Sequence, residues 1–229
     1  MVKTTQERIT LVCVETREDR LQQSAKALAN SMSLFPCKEA LFISHKKLDT
    51  KNIAEFKDLT FVTNIRKLDE KRHDYDYFML TQLPSFIETT HYLVLGSNGY
   101  IVGPSAWDDG WLDFHYIGAP WPHHPKGYYP PHPPCTEENS VGNGRFSLRS
   151  TLMAKYIQEQ FYKICKQPSF ATPQWSPEDV FISRTMRPLL ETKGFRFAPE
   201  SVACRFSCMD RMYNGQFGFY GEELAKSKK

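Results

Sequence analysis

Two adjacent carboxylates, Glu178 and Asp179, follow Ser176 and Pro177 in the 229-residue sequence and are the pair best suited to acid–base work. Serine, proline and then acids read as a helix start, with Ser176 as N-cap, Pro177 in the first helical position and Asp179 in the third. In that geometry one carboxylate can be tied to helix amides while the other stays available to take a proton from a hydroxyl. The same spacing would also serve as a cap with no chemistry. A second feature is the turn Gly142-Asn143-Gly144, followed by Arg145 and, on the next strand, Arg149. Glycine there lets backbone approach a ligand, and asparagine tolerates left-handed conformations. A guanidinium at Arg145 or Arg149 can hold an anionic group through paired hydrogen bonds. His123, His124, His132 and Cys135 are numerous enough for a zinc site, but their spacing fits no zinc pattern and prolines crowd the segment. Trp121, Tyr128, Tyr129 and Trp175 offer aromatic faces for stacking on a ligand.

These groups need a frame. Residues 8–14, 40–44, 59–63 and 91–95 are short apolar, β-branched runs, separated in places by segments of helix length. Leu21, Ala25, Leu28 and Met32 recur at helical spacing. A helix is predicted over 74–89, with Pro84 kinking or breaking it, and others over 104–112 and 150–165. Such alternation predicts a three-layer α/β/α fold with a mostly parallel central sheet. Ligands of such sheets bind at the carboxyl ends of the strands, which points to Glu15, Thr16, Arg17, His45 and Lys46 as cleft residues. The turn Gly96-Ser97-Asn98-Gly99 falls in the middle of that edge.

Composition narrows the possibilities. The formal charge of +3 is spread along the chain, which leaves no nucleic-acid footprint. No apolar run is long enough to span a bilayer, and residues 1–10 lack the apolar stretch of a signal peptide, so a soluble cytoplasmic protein is expected. The six cysteines are scattered without a CxxC and read as reduced thiols. With no repeat or linker, one domain over 1–229 is expected, with frayed ends at 1–7 and 223–229. Seven of the 15 prolines fall between Pro120 and Pro134, and residues 121–140 are read as a stiff lid.

Tyr116-Ile117-Gly118-Ala119-Pro120-Trp121, then Val141-Gly142-Asn143-Gly144 with Phe146-Ser147-Leu148-Arg149, then Ser176-Pro177-Glu178-Asp179-Val180 resemble a family of small sugar-transferring domains with the GT-A nucleotide-sugar fold. That family, long catalogued as a domain of unknown function, reads approximately YDYIGAPW, VGNGGFSLRS, PEDV and a closing GFHG. The likeness runs from about Ile9 to Gly221. It implies a glycosyltransferase that moves a sugar from a nucleotide-sugar donor to a hydroxyl of a glycan acceptor, with inversion if one of the paired carboxylates is the base. A retaining transferase, or a catalytically silent nucleotide-sugar or glycan-binding module of the same fold, is the alternative. By the same resemblance Glu15, Thr16, Arg17 and Lys46 line the nucleotide pocket, and Ser97, Asn98, Gly99 and Arg145 lie at the diphosphate and donor sugar. Trp121, Gly142, Asn143 and Gly144 meet the acceptor, and Asp179, ahead of Glu178, is the base.

The departures from that pattern also carry information. Asn98 stands where the family has aspartate, and Tyr220 replaces the histidine of the closing motif, so two candidate ligands of a divalent cation are lost together. Arg145 stands for a glycine and His115 for an aspartate, both adding positive character. The expectation is that no cofactor is required, with weak or no dependence on manganese or magnesium.

Overall fold

The computed structural model describes residues 8–48, 56–69, 73–121, 139–166, 177–209 and 212–222. Six strands form the main sheet: β1 (Ile9–Val14), β2 (Glu39–Ile43), β3 (Thr60–Val62), β4 (His91–Leu95), β6 (Tyr116–Gly118) and β7 (Phe146–Ser150), in the order β3-β2-β1-β4-β7-β6. A smaller sheet joins β5 (Gly99–Ile101), β9 (Gly218–Tyr220) and β8 (Ser207–Met209), in that order. The helices are α1 (Leu21–Leu34), α2 (Asp74–Thr81), α3 (Thr151–Cys165), a single turn α4 (Glu178–Val180) continuing as a π turn (Phe181–Thr185), α5 (Arg187–Thr192) and α6 (Glu200–Phe206).

The main sheet is covered on both faces, as its continuous apolar strands require. Along β1, Ile9, Leu11 and Cys13 point into one core with Leu21, Ala25 and Leu28 of α1, while Val12 and Val14 point into a second with Phe78 and Met79 of α2. A third cluster joins Met153, Ile157 and Phe161 of α3 to Ile182, Met186 and Leu190. The result is the mixed α/β layering expected from the sequence, with a mostly parallel sheet. Pro84 ends α2, as anticipated: the helix stops at Thr81 and the chain continues as a 3₁₀ turn, Leu83–Phe86.

Pairing places the ligand edge. β1 is flanked by β2 on one side and β4 on the other, both parallel to it, so the strand order reverses between β1 and β4. β7 is antiparallel to β4 and β6. The start of β7 therefore lies at the same edge as the carboxyl ends of β1, β4 and β6, and four segments meet there: Glu15 to Arg17, Gly96 to Gly99, Asn143 to Arg145, and Ala119 to Trp121.

Several local expectations are corrected. The segment 104–112 forms two 3₁₀ turns, Pro104–Ala106 and Asp109–Asp113, because Asp108 caps the second turn by accepting from the Gly110 amide. Pro177 is the N-cap itself, at ψ 142°, so α4 begins one residue later than its sequence suggests. Gly142, Asn143 and Gly144 do not use left-handed backbone: His73 is the one non-glycine residue at positive φ among those described, and Gly194, Gly215 and Gly221 are the glycines there. His115 precedes β6 and sits at the opposite edge of the sheet, where its Nδ1 accepts from the Arg196 amide at 2.9 Å, so it adds no charge to the cleft. No described helix is long and apolar enough to cross a membrane. The Pro-rich segment, its histidines, Cys135, Tyr128, Tyr129, Trp175 and Ser176 lie outside the described residues, as do the two ends of the chain.

Candidate active site

At the β1/β4 end of the edge the charges are already arranged. Glu15 is 4% exposed and accepts from Arg17 Nη2 at 2.6 Å and from the Arg17 amide at 2.9 Å. Burial alone would raise its pKa, but these donors outweigh burial and hold Glu15 below the ordinary glutamate range. Thr16 is tied to Leu68, donating to its carbonyl at 3.4 Å and accepting from its amide at 3.3 Å. Lys46 lies 2.7 Å from the exposed Glu18, and His45 and Lys67 approach the same carboxylate. Asn98 Oδ1 accepts from Gln23 Nε2 at 2.7 Å, and the carbonyl of Ser97 accepts from the same amide nitrogen at 3.3 Å.

Asn98 and Tyr220 are neighbours. Gly99 pairs with Tyr220 in the small sheet, and the Gly221 amide donates to the Asn98 carbonyl at 3.1 Å. The two positions at which the sequence departs from the resembling family's cation ligands thus share one corner of the cleft. Their donor set does not fit a hard divalent cation: Asn98 offers an amide oxygen already taken by Gln23, Tyr220 a phenol, and Glu15 a carboxylate taken by Arg17. Among the described residues no three His, Cys, Asp or Glu side chains are grouped to hold a metal.

Arg145 is the positive group at this corner. The Gly96 amide donates to its carbonyl at 2.7 Å, and its guanidinium stacks on the Tyr75 ring at 4.3 Å. Burial opposes its charge, and Tyr75, Glu178, Tyr220 and Glu15 around it more than offset this. Among the described residues no carboxylate lies within ion-pair distance of Arg145, so its N–H groups remain available.

The acid pair divides into two environments. Glu178 is buried and accepts from Arg149 Nη2 at 2.7 Å, with the two side chains 5% and 1% exposed. Arg149 also donates to Ser147 Oγ and the Gly144 carbonyl, and lies over the Tyr116 ring. Its charge is matched by Glu178, which makes Arg149 part of the core rather than of the Arg145 corner. Asp179 instead accepts from the Gly144 amide at 2.9 Å through Oδ2 and from the Val180 amide at 2.8 Å through Oδ1. Burial, then the charge of Glu178, pushes Asp179 up to about 7, against the pull of Gly144 and Arg149. A carboxylate titrating near neutrality, held by two amides with lone pairs to spare, has the properties of a general base. Behind it Asp76 accepts from the Glu178 amide at 3.1 Å and is itself pushed up to about 6 by burial and by Glu178.

The glycine turn fits against this pair. A Cβ on Gly144 would lie 2.5 Å from Glu178 Oε1, 2.7 Å from Asp179 Cβ and 2.9 Å from Arg149 Nη2. Gly144→Ala is expected to destabilise the fold by about 1–3 kcal/mol through overpacking, read as a lowered thermal midpoint. Gly142 is pressed against the Trp121 ring and Ser183 Oγ. Asn143 is buried, donates from Nδ2 to Met209 Sδ and accepts the Phe146 amide at 3.3 Å. Trp121 carries the Arg184 guanidinium on its ring at 4.5 Å.

Ser97, Asn98, Gly99 and Arg145 thus share one corner, and Gly142, Gly144, Trp121, Glu178 and Asp179 another. Glu15 and Thr16 lie deeper, occupied by protein partners, and Lys46 lies on the rim. Sequence reading missed Tyr75, Asp76 and Arg184. The run Asp74-Tyr75-Asp76 carried only the signal of acids in a first helical turn.

A family model described as "Protein of unknown function (DUF5672)" matches residues 41–221. No functionally curated protein matches the sequence. Among solved structures, the fold is similar to that of a glycosyltransferase involved in the glycosylation of the major capsid of PBCV-1, at 10% identity over 93% of this chain and 92% of that one, with a TM-score of 0.51. It is similar also to galactosyltransferase LgtC in complex with donor and acceptor sugar analogs, at 11% identity over 93% and 86% of the two chains (TM-score 0.52). A third is core-mannan synthase A from Aspergillus fumigatus in its Mn/GDP form, at 8% identity over 80% and 70% (TM-score 0.53). At these identities the likeness is one of fold alone, a mixed α/β fold shared with these glycosyltransferases.

Proposed function

The chain belongs to the DUF5672 family, and from that premise we propose that it is a glycosyltransferase moving a sugar from a nucleotide-sugar donor to a hydroxyl of a glycan, in one displacement with inversion. The observation that carries this reading is Asp179, a carboxylate titrating near 7 beside a glycine turn at the ligand edge of a GT-A-like sheet. A carboxylate raised by burial and by Glu178, and held by the Gly144 and Val180 amides at the ligand edge, is the arrangement a general base needs, which favours the enzyme over the binding alternative.

In this mechanism Asp179 takes the proton of the acceptor hydroxyl as its oxygen attacks the anomeric carbon, and the bond from that carbon to the diphosphate oxygen breaks. Gly144 and Val180 keep the carboxylate oriented. The negative charge gathering on the leaving diphosphate is met by the Arg145 guanidinium, fixed by Tyr75, and by the backbone amides of Ser97 and Asn98, since those of Gly96 and Gly99 donate within the protein. No step is drawn through a metal ion, because the donor set at Asn98 and Tyr220 does not fit one. Lys46 and Arg17 lie toward the nucleoside end.

The test is a panel of nucleotide sugars screened by thermal shift, where the preferred donor stabilises the native state by mass action. Transfer or hydrolysis of that donor is then followed, with the product anomer read by NMR. An anomer of retained configuration would overturn the single displacement, and absence of any turnover would leave the binding module. Arg145→Gly should weaken nucleoside diphosphate binding by about tenfold or more, the scale of one lost charge-assisted hydrogen bond, while chelator should change it little. Calorimetric titration with chelator and with manganese checks this, and binding that vanishes on chelation would show that a cation is held after all.

A further inference from the structure

Two arginines are buried in the described fold, Arg149 and Arg184. Arg149 has Glu178 as its counter-charge. Arg184 has none among the described residues: it is 2% exposed, its Nε and Nη1 have no hydrogen-bond partner, and its stabilising contact is the face of Trp121 at 4.5 Å. Desolvating a guanidinium without an anion costs more than a cation–π contact returns. A fold that keeps such a group sacrifices stability at that point, which is the usual mark of a functional site.

Its position narrows the ligand. Arg184 follows Ser183, whose hydroxyl donates to the Asp179 carbonyl at 2.5 Å and lies against Gly142. Trp121 extends from β6, the outermost strand on this side of the sheet. Arg145 stands on the other side, toward β4 and β1. The candidate base therefore lies between two guanidinium groups, one toward the strand-order reversal and one toward the β6 edge. In a displacement with inversion the hydroxyl attacks opposite the leaving group, so the base and the acceptor lie on one side of the anomeric carbon and the diphosphate on the other. With the donor diphosphate at Arg145, Arg184 faces the acceptor.

We infer that Arg184 forms an acceptor subsite for a sugar bearing an anionic group, a phosphate or a carboxylate, and that Trp121 acts as a positioning residue. Stacking holds the guanidinium plane and leaves its N–H edge to the oxyanion. One ring face of Trp121 is thereby taken by Arg184 and is closed to sugar stacking. The word acceptor rests on the glycosyltransferase reading; the anion site rests on Arg184 alone.

The experiment is calorimetric titration of glucose 6-phosphate, glucuronate, glucose and inorganic phosphate into wild type, Arg184→Gln and Arg145→Gln, each with and without a nucleoside diphosphate. Anionic sugars should bind wild type at least about tenfold more tightly than glucose, the scale of one hydrogen bond to a charged group. That preference should disappear in Arg184→Gln and persist in Arg145→Gln. Arg184→Gln should melt no lower than wild type, since no described residue pairs with the charge it removes; a purely structural arginine would lower it. Tighter binding of glucose 6-phosphate than glucuronate assigns a phosphate, and the reverse a carboxylate. The inference is overturned if wild type shows no preference, if Arg184→Gln keeps it, if inorganic phosphate alone binds as well as the sugar phosphate, or if Arg184→Gln loses nucleoside diphosphate instead. Should Arg184→Gln fail to fold, Trp121→Leu must weaken the anionic sugars or the inference fails. If nucleoside diphosphates do not bind wild type at all, the donor reading falls, and the anionic-sugar site is decided by the first comparison.

Discussion

Asp179→Asn should lower transfer by about 10²- to 10⁴-fold, the range for removing a general base, with the fold intact. The side chain is held by the Gly144 and Val180 amides, and asparagine keeps the volume and one acceptor. What it loses is the ability to take a proton. The wild-type rate should rise with pH through a midpoint near 7, because burial and Glu178 raise Asp179 to about that value and the base works only when ionised. Stability runs the other way. A carboxyl with a raised folded pKa favours the native state below it and penalises that state increasingly as pH climbs from the unfolded value near 4 towards 7. The melting difference between Asp179→Asn and wild type should therefore move in the variant's favour from pH 5 to pH 8. Retained transfer in Asp179→Asn would return the carboxylate to a purely local bonding role.

Glu178→Gln should do the opposite, costing about 3–5 kcal/mol of stability, the usual loss when one partner of a buried ion pair is removed. Arg149 would keep its bonds to Ser147 Oγ and the Gly144 carbonyl, but its charge, 1% exposed, would have no carboxylate against it. Denaturant unfolding measures the loss. Transfer by the fraction still folded at low temperature should stay within about tenfold of wild type, below the range for removing a base. A stable Glu178→Gln protein with abolished transfer would exchange the roles given to the two acids.

The sequence alone could not separate this pair, and the reason is physical. Both acids stand at a helix start, and local pattern says only that acids belong there. What distinguishes them is a long-range partner: Arg149 arrives from β7 to take Glu178, and Gly144 arrives from the preceding turn to meet Asp179. The inner strands of the main sheet were legible because their burial on both faces forces continuous apolar runs. The antiparallel insertion of β7 between β4 and β6 was not, since pairing partners leave no mark in a five-residue strand. Nor was the small sheet, built from strands of three residues with little periodicity to read. The glycine turn was found for a sound reason, yet it works through close contact rather than unusual dihedral angles. Arg184 looked like one more basic residue in a helical stretch, and only its burial beside Trp121 sets it apart.

Helix α1 gives the corner around Asn98 a mechanical character. Leu21, Ala25 and Leu28 seat one of its faces on the main sheet, while Ala27 packs with Tyr100, Cys208 and Phe219 of the small sheet, Ser31 Oγ accepts the Ile101 amide at 3.2 Å, and Gln23 holds Ser97 and Asn98. A helix packed on both sides cannot release one sheet without disturbing the other. The wall carrying Asn98 and Tyr220 is therefore tied through α1 to β1, and its opening should cost more than that of a loop. On the proposed reading, a donor would meet this wall as a preformed surface, and little of the binding energy would be spent on ordering it.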